Sequence, residues 1–161
     1  MLAHVITVSD RSAAGQREDR SGPRAAELLR EQGFACEVVV VPDGIEPVEA
    51  AIRSAVEGGA DLVITSGGTG VGPRDLTPEA TRRVVDAEIP GISELLRSTG
   101  ARATPYAVLG RGVAGMVRPT DGHQGALVVN LPGSPGAVGE GLAVLLPLVG
   151  HVVDQLRGGD H

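Results

Sequence analysis

DLVITSGGTGVGPRDLTPEAT, residues 61–81, decides the fold. Residues 61–66 form an apolar, β-branched run that reads as a buried strand. Gly67, Gly68, Gly70 and Gly72 follow at once and open backbone conformations closed to other residues. Thr77 then supplies a helix cap, with Pro78 at the first helical position and Glu79 at the positive end of the helix dipole.

Outward from this block the alternation repeats. Residues 4–9, HVITVS, are a short β-rich run ending at Asp10, and a polar loop, DRSAAGQREDRSG, follows. Ser21 or Gly22 caps the next helix, with Pro23 in its first turn, Ala25, Leu28 and Leu29 as its apolar stripe and Gly33 at its end. Residues 34–41 read as a second buried strand, closed by the turn VPDG. Val48, Ala51, Ile52, Ala55 and Val56 recur with helical spacing until Gly58 and Gly59 stop the helix. Pro90–Gly91 breaks the helix begun at Thr77 and opens another through Leu96. ALVVNL, 126–131, is the last clear strand. Ser134–Pro135 starts a C-terminal helix with Val138, Leu142, Leu145, Leu146 and Val149 on one side, which Pro147 should kink or split. This pattern predicts one α/β domain over 1–161, a three-layer α/β/α sandwich around a mainly parallel sheet. Ligands of such sheets bind beyond the carboxyl ends of the strands. SD, PDG, SGGTG and LPGS all fall at those ends.

Composition narrows the chemistry. The chain has 161 residues and a net charge of −6, which argues against broad binding to nucleic acid or an anionic membrane. Every basic residue is arginine, so a Walker A lysine is excluded. The single cysteine, Cys36, rules out an internal disulfide and a CxxC metal site, and reads as core packing. His4, His123, His151 and His161 share no ligand spacing, so a zinc site is not expected. The most apolar stretch, 142–153, is interrupted by Pro147, Gly150 and His151, so no membrane span is expected. The N-terminus lacks the basic and long apolar regions of a secretory signal, and a cytoplasmic protein is expected.

Without side chains, the N–H groups at Gly67, Gly68, Gly70 and Gly72 can wrap a phosphate, with Thr69 adding a hydroxyl. Asp75, a few residues later, would be repelled by that phosphate unless a cation lay between them. The pairing points to magnesium bridging Asp75 and a nucleotide phosphate, or else to a tight turn in which Asp75 is a local capping residue. Asp43 is a second magnesium ligand or a turn residue. In NLPGSPGAV, 130–138, Gly133 bends the chain, while Ser134 caps a helix or presents its hydroxyl to an anion. Arg11, Arg17 and Arg20 place positive charge near Asp10. GRGVAG, 110–115, satisfies GxGxxG, but the MVRPTDG that follows cannot open the helix a dinucleotide fingerprint needs.

Taken together, the VSD…G…D.SG opening, PD after the second strand, SGGTG…RD.TPEAT, the PG at Pro90–Gly91 and LPGSP resemble the molybdopterin adenylyltransferase family of molybdenum cofactor synthesis, over nearly the whole chain. The resemblance implies a magnesium-dependent enzyme that joins ATP and molybdopterin into adenylyl-molybdopterin and releases pyrophosphate. It implies Asp75 and Asp43 as catalytic and metal-holding residues. It also implies Asp10, Ser66, Gly67, Gly68, Thr69, Gly70, Gly133 and Ser134 as substrate-contacting positions. A homotrimer, with a downstream molybdenum-insertion protein as partner, is the implied assembly. Two other readings stay open: a module that binds molybdopterin without transfer, and an inactive structural homologue.

Overall fold

Alternation of side chains across one sheet builds both halves of the core. The computed structural model describes residues 1–159; His161 lies outside them. Its elements are β1 (Leu2–Val8), α1 (Asp10–Ala13), α2 (Ser21–Glu31), β2 (Ala35–Val41), α3 (Ile45–Glu57), β3 (Leu62–Ser66), α4 (Thr77–Arg82), β4 (Ala87–Glu88), α5 (Pro90–Ala103), a short 3₁₀ helix at Pro105–Leu109, β5 (Ala114–Val117), β6 (Ala126–Leu131) and α6 (Pro135–Leu156). The sheet runs β2-β1-β3-β6-β5-β4. Its first four strands are parallel, and β5 and β4 are added antiparallel.

Successive residues of a strand face opposite sides. Ala3, Val5, Leu62, Ile64, Leu127 and Val129 pack under α2, α5 and α6 through Leu29, Ile92, Leu142 and Leu145. Ile6, Val8, Val63 and Val128 pack under α3 and α4 through Val48, Ile52 and Ala80. A sheet with helices on both faces is the expected three-layer architecture.

Several local expectations need correction. The run 34–41 is not a buried strand: β2 is an edge strand paired only with β1, and Val39 and Val40 are exposed. Apolar composition alone does not distinguish an edge from a centre. The polar loop after β1 begins with a helical turn, α1, capped by Ser9 through the Ser12 N–H. Neither Ser21 nor Gly22 caps α2; Oδ1 of Asp19 accepts both of their N–H groups and the Ser21 hydroxyl. Thr77 does not cap α4 either, because its hydroxyl donates to the Gly67 carbonyl at 2.9 Å.

Helix α5 runs past Leu96 to Ala103. The β4–β5 pair was not anticipated, because strands of two and four residues containing Gly115 carry too little pattern. Residues 110–115 lead into β5 rather than a helix, in keeping with the rejection of a dinucleotide fingerprint.

Pro147 neither splits nor ends α6, which continues for 22 residues. Contrary to expectation, this helix is long and apolar enough to match a membrane span by length and composition. Val138, Gly141, Leu142, Leu145, Val149 and Val153 are buried against the sheet and its neighbouring helices, so its apolar stripe is a core face.

Candidate active site

Three loops leave the carboxyl ends of β1, β2 and β3 and meet. The loop after β3 turns sharply because Gly67 and Gly68 adopt positive φ, 110° and 63°. A Cβ on Gly67 would strike the Val8 carbonyl, and one on Gly68 would strike the Thr77 hydroxyl. The hydroxyls nearby hold this turn: Thr77 bonds the Gly67 carbonyl, and Ser66 Oγ donates to the Pro132 carbonyl at 3.2 Å. The Gly67 N–H donates to the Leu131 carbonyl at 3.1 Å, stitching the loop to the one after β6. Ser66 and Gly67 are thus occupied structurally. Among the described residues no hydrogen bond takes the N–H of Gly68, Thr69 or Gly70. Those amides are free to receive an anion.

Asp10, Asp43 and Arg74 form a charged knot beside this loop. Arg74 Nε and Nη2 grip the Asp10 carboxylate at 2.7 and 2.9 Å, and Nη2 also reaches the Asp43 carbonyl at 3.0 Å. The Arg74 guanidinium, through those hydrogen bonds, holds the Asp10 carboxyl below the usual aspartate range. Asp10 is therefore a positioning group here, its charge already matched.

Asp75 stands at the far end of the glycine loop. Its Oδ2 accepts the Gly72 N–H at 2.8 Å, so it does cap a local turn. Asp43 likewise uses Oδ2, for the Asp10 N–H. Among the described residues no hydrogen bond engages Oδ1 of either side chain. The described residues contain no group of three or more His, Cys, Asp or Glu able to hold a metal. The donor chemistry fits magnesium in its usual mode with nucleotides, in which one or two carboxylates and substrate phosphates share the ion. Asp75 and Asp43 are the two carboxylates that could serve.

Two cavities flank the glycine loop. One, of about 420 Å³ and largely apolar, lies between α5, the 3₁₀ helix and α6, with Thr69, Gly70, Leu109, Asn130 and Ser134 in its wall. The other, of about 140 Å³ and polar, is lined by Ser9, Ser12, Arg17, Arg20, Ser66 and Gly133 among others. The SGGTG and LPGS segments face both spaces. Ser134 Oγ accepts the Ala137 N–H at 3.2 Å and so caps α6.

The site thus gathers Asp10, Asp43, Ser66, Gly67, Gly68, Thr69, Gly70, Asp75, Gly133 and Ser134 beyond the carboxyl ends of β1, β2, β3 and β6. Arg111 is a loop arginine that no sequence signature marks. Arg74 and Asp19 stand in the RD and D.SG motifs, but the motifs alone give them no role; in the structure Oδ2 of Asp19 accepts the Thr7 hydroxyl at 2.7 Å. Of the histidines, His4 faces Glu37 across β1 and β2, His123 Nδ1 accepts the Gly125 N–H, and His151 pairs with Gln155. Cys36 is half-buried against the core, and burial pushes its thiol pKa up, as befits an unreactive packing residue.

A family model described as "Probable molybdopterin binding domain" matches residues 4–151. The molybdopterin adenylyltransferase of Pyrococcus furiosus is 40% identical over 95% of this chain and 89% of its own length. A molybdenum cofactor biosynthesis bifunctional protein of Synechococcus elongatus is 43% identical over 100% of this chain, which spans 49% of that longer protein. The solved structure of the molybdopterin biosynthesis Mog protein from Mycobacterium ulcerans superposes with a TM-score of 0.86 at 48% identity, covering 96% of this chain and 97% of that one.

Proposed function

The chain belongs to this family of molybdopterin-binding domains, and from that premise we propose that it is a molybdopterin adenylyltransferase acting in molybdenum cofactor biosynthesis. The observation that carries the reading is the set of free amides at Gly68, Thr69 and Gly70, bracketed by Asp75 and set between two cavities. Two substrates that must meet at a phosphate need such a divided site. The relative in Pyrococcus furiosus that carries the adenylyltransferase name supports it further.

A phosphate oxygen of molybdopterin attacks the α-phosphorus of ATP, the bond to the β-phosphate breaks, and pyrophosphate leaves. No protein nucleophile is needed, because transfer of this kind depends on alignment and charge neutralisation. The free amides receive phosphate oxygens, and the apolar cavity excludes water from a flat heterocycle beside them. Asp75 and Asp43 would hold magnesium, which neutralises phosphate charge and helps the pyrophosphate depart. We assign the working form as a homotrimer in the cytoplasm.

The test is pyrophosphate release from ATP, magnesium and molybdopterin, with Asp75→Asn alongside. We expect turnover in the wild type and a folded variant with activity nearly gone. Molybdopterin binding without pyrophosphate would instead make the chain a binding module.

A further inference from the structure

We propose that Arg111 is the positioning residue of this site: it sets where Asp75 and the glycine loop stand without touching substrate. The inference rests on the reading of that loop as the phosphate-binding element. Arg111 belongs to GRGVAG, the segment that failed as a dinucleotide fingerprint, and lies between the 3₁₀ helix and β5.

Its bonds converge on one stretch of chain. The Arg111 N–H donates to the Thr69 carbonyl at 2.9 Å, and Nε donates to the Gly70 carbonyl at 2.7 Å. Nη2 donates to the Asp75 carbonyl, and Nη1 pairs with Glu79 on α4 at 2.5 Å. One planar group therefore grips the segment 70–75 at both ends and fastens it to the helix that follows. The segment's other bonds are short turns, Gly72 N–H to the Asp75 carboxylate, Asp75 N–H to the Gly72 carbonyl at 3.1 Å and Leu76 N–H to the Arg74 carbonyl at 3.0 Å, and the outward grip of the Arg74 side chain on Asp10 and the Asp43 carbonyl.

The arrangement is not explained by the ion pair alone. Arg111 and Glu79 are each about a third exposed, 36% and 35%, and a pair that open to water contributes little to stability. Glu79 has a clearer role as an anchor. It fixes the guanidinium plane so that the remaining donors meet two main-chain carbonyls, and the Arg111 hydrogen bond lowers the Glu79 pKa. Only arginine has donors spread widely enough for three acceptors at once; a lysine ammonium is a compact point charge. With its carbonyl held by Arg111 and its carboxylate by Gly72, Asp75 has little freedom left.

Hydrogen–deuterium exchange on the free protein tests the clamp, and pyrophosphate release tests its consequence. In Arg111→Ala we expect faster exchange confined to 68–76, unchanged exchange in β1, β3 and α6, and kcat down on the order of 10²-fold, as for a displaced reacting geometry, with a smaller change in KM for ATP. Added guanidinium should restore part of the rate. Arg111→Lys, which keeps charge and bulk, should loosen the same segment and covers the case in which the alanine variant does not fold; Glu79→Gln should do so less. A segment 68–76 that exchanges at the wild-type rate in Arg111→Lys overturns the clamp. Loosening without loss of kcat overturns the positioning role. A wild type that releases no pyrophosphate defeats the transferase reading, and the exchange measurement still decides for or against the clamp.

Discussion

Asp10 and Asp43 hold each other's main chain: the Asp10 N–H donates to Oδ2 of Asp43 at 2.8 Å, and the Asp43 N–H donates to Oδ1 of Asp10 at 3.0 Å. Two carboxylates set this way would repel each other, and the Arg74 guanidinium on Asp10 offsets that repulsion. The loops after β1, β2 and β3 are therefore joined by one charged knot.

Replacing Arg74 by alanine should raise the Asp10 pKa toward the ordinary value of about 3.9. The native value is depressed, so the stabilisation this group provides is present above the ordinary value and is lost as pH falls through the lower native one. A carbon-13 titration of the Asp10 carboxyl in both proteins reads this directly. Equal midpoints would show that Arg74 does not set the charge of Asp10.

Asn130 should be a stability hot point. Its amide donates to the hydroxyls of Thr65 and Thr81 at 2.9 and 2.8 Å, and its Oδ1 accepts the Val113 N–H at 3.1 Å, all buried. Asn130→Leu takes the partner from the Val113 N–H and the Thr65 hydroxyl, while the Thr81 hydroxyl keeps its bond to the Thr77 carbonyl, and should cost about 3 kcal/mol, given roughly 1–3 per buried orphan. Urea unfolding measures it; a loss below about 1 kcal/mol would mean that water or rotation satisfies them.

Gly68→Ala should both destabilise and inactivate. The left-handed backbone costs an alanine roughly 1–2 kcal/mol, and the added methyl meets the Thr77 hydroxyl that holds Gly67. A melting curve and the pyrophosphate assay check the two effects separately. An active, equally stable variant would show that this turn tolerates a side chain.

Pro147 sits exposed within α6, where it removes one helical hydrogen bond. Pro147→Ala should raise stability by about 1–3 kcal/mol, toward the difference in helix propensity. A lower melting temperature would show that the proline shapes the helix for packing.

Much of the fold was readable because the hydrophobic period was strong. The alternating faces of β3 and β6 and the stripe of α3 are where patterning predicts them. The edge position of β2 was hidden, since Val38 to Val41 look the same whether one or both faces are covered. The site was readable where chemistry needs rare residues in order: glycines, then Asp75, then Thr77. It was unreadable where one side chain reaches across 64 positions from Arg74 to Asp10, or 36 from Arg111 to Asp75. Thr77 and Ser66 carried hydroxyls whose use could be known only from their carbonyl neighbours.

The direction of β5 has a consequence for how such sites are assembled. Ala114 at its start lies beside Val129 near the end of β6, so this reversed strand begins where the parallel ones finish. Chain that arrives at the sheet, as well as chain that departs from it, thereby borders the same reaction space, and a late stretch of polypeptide comes to bear on an early one with no extra crossover helix.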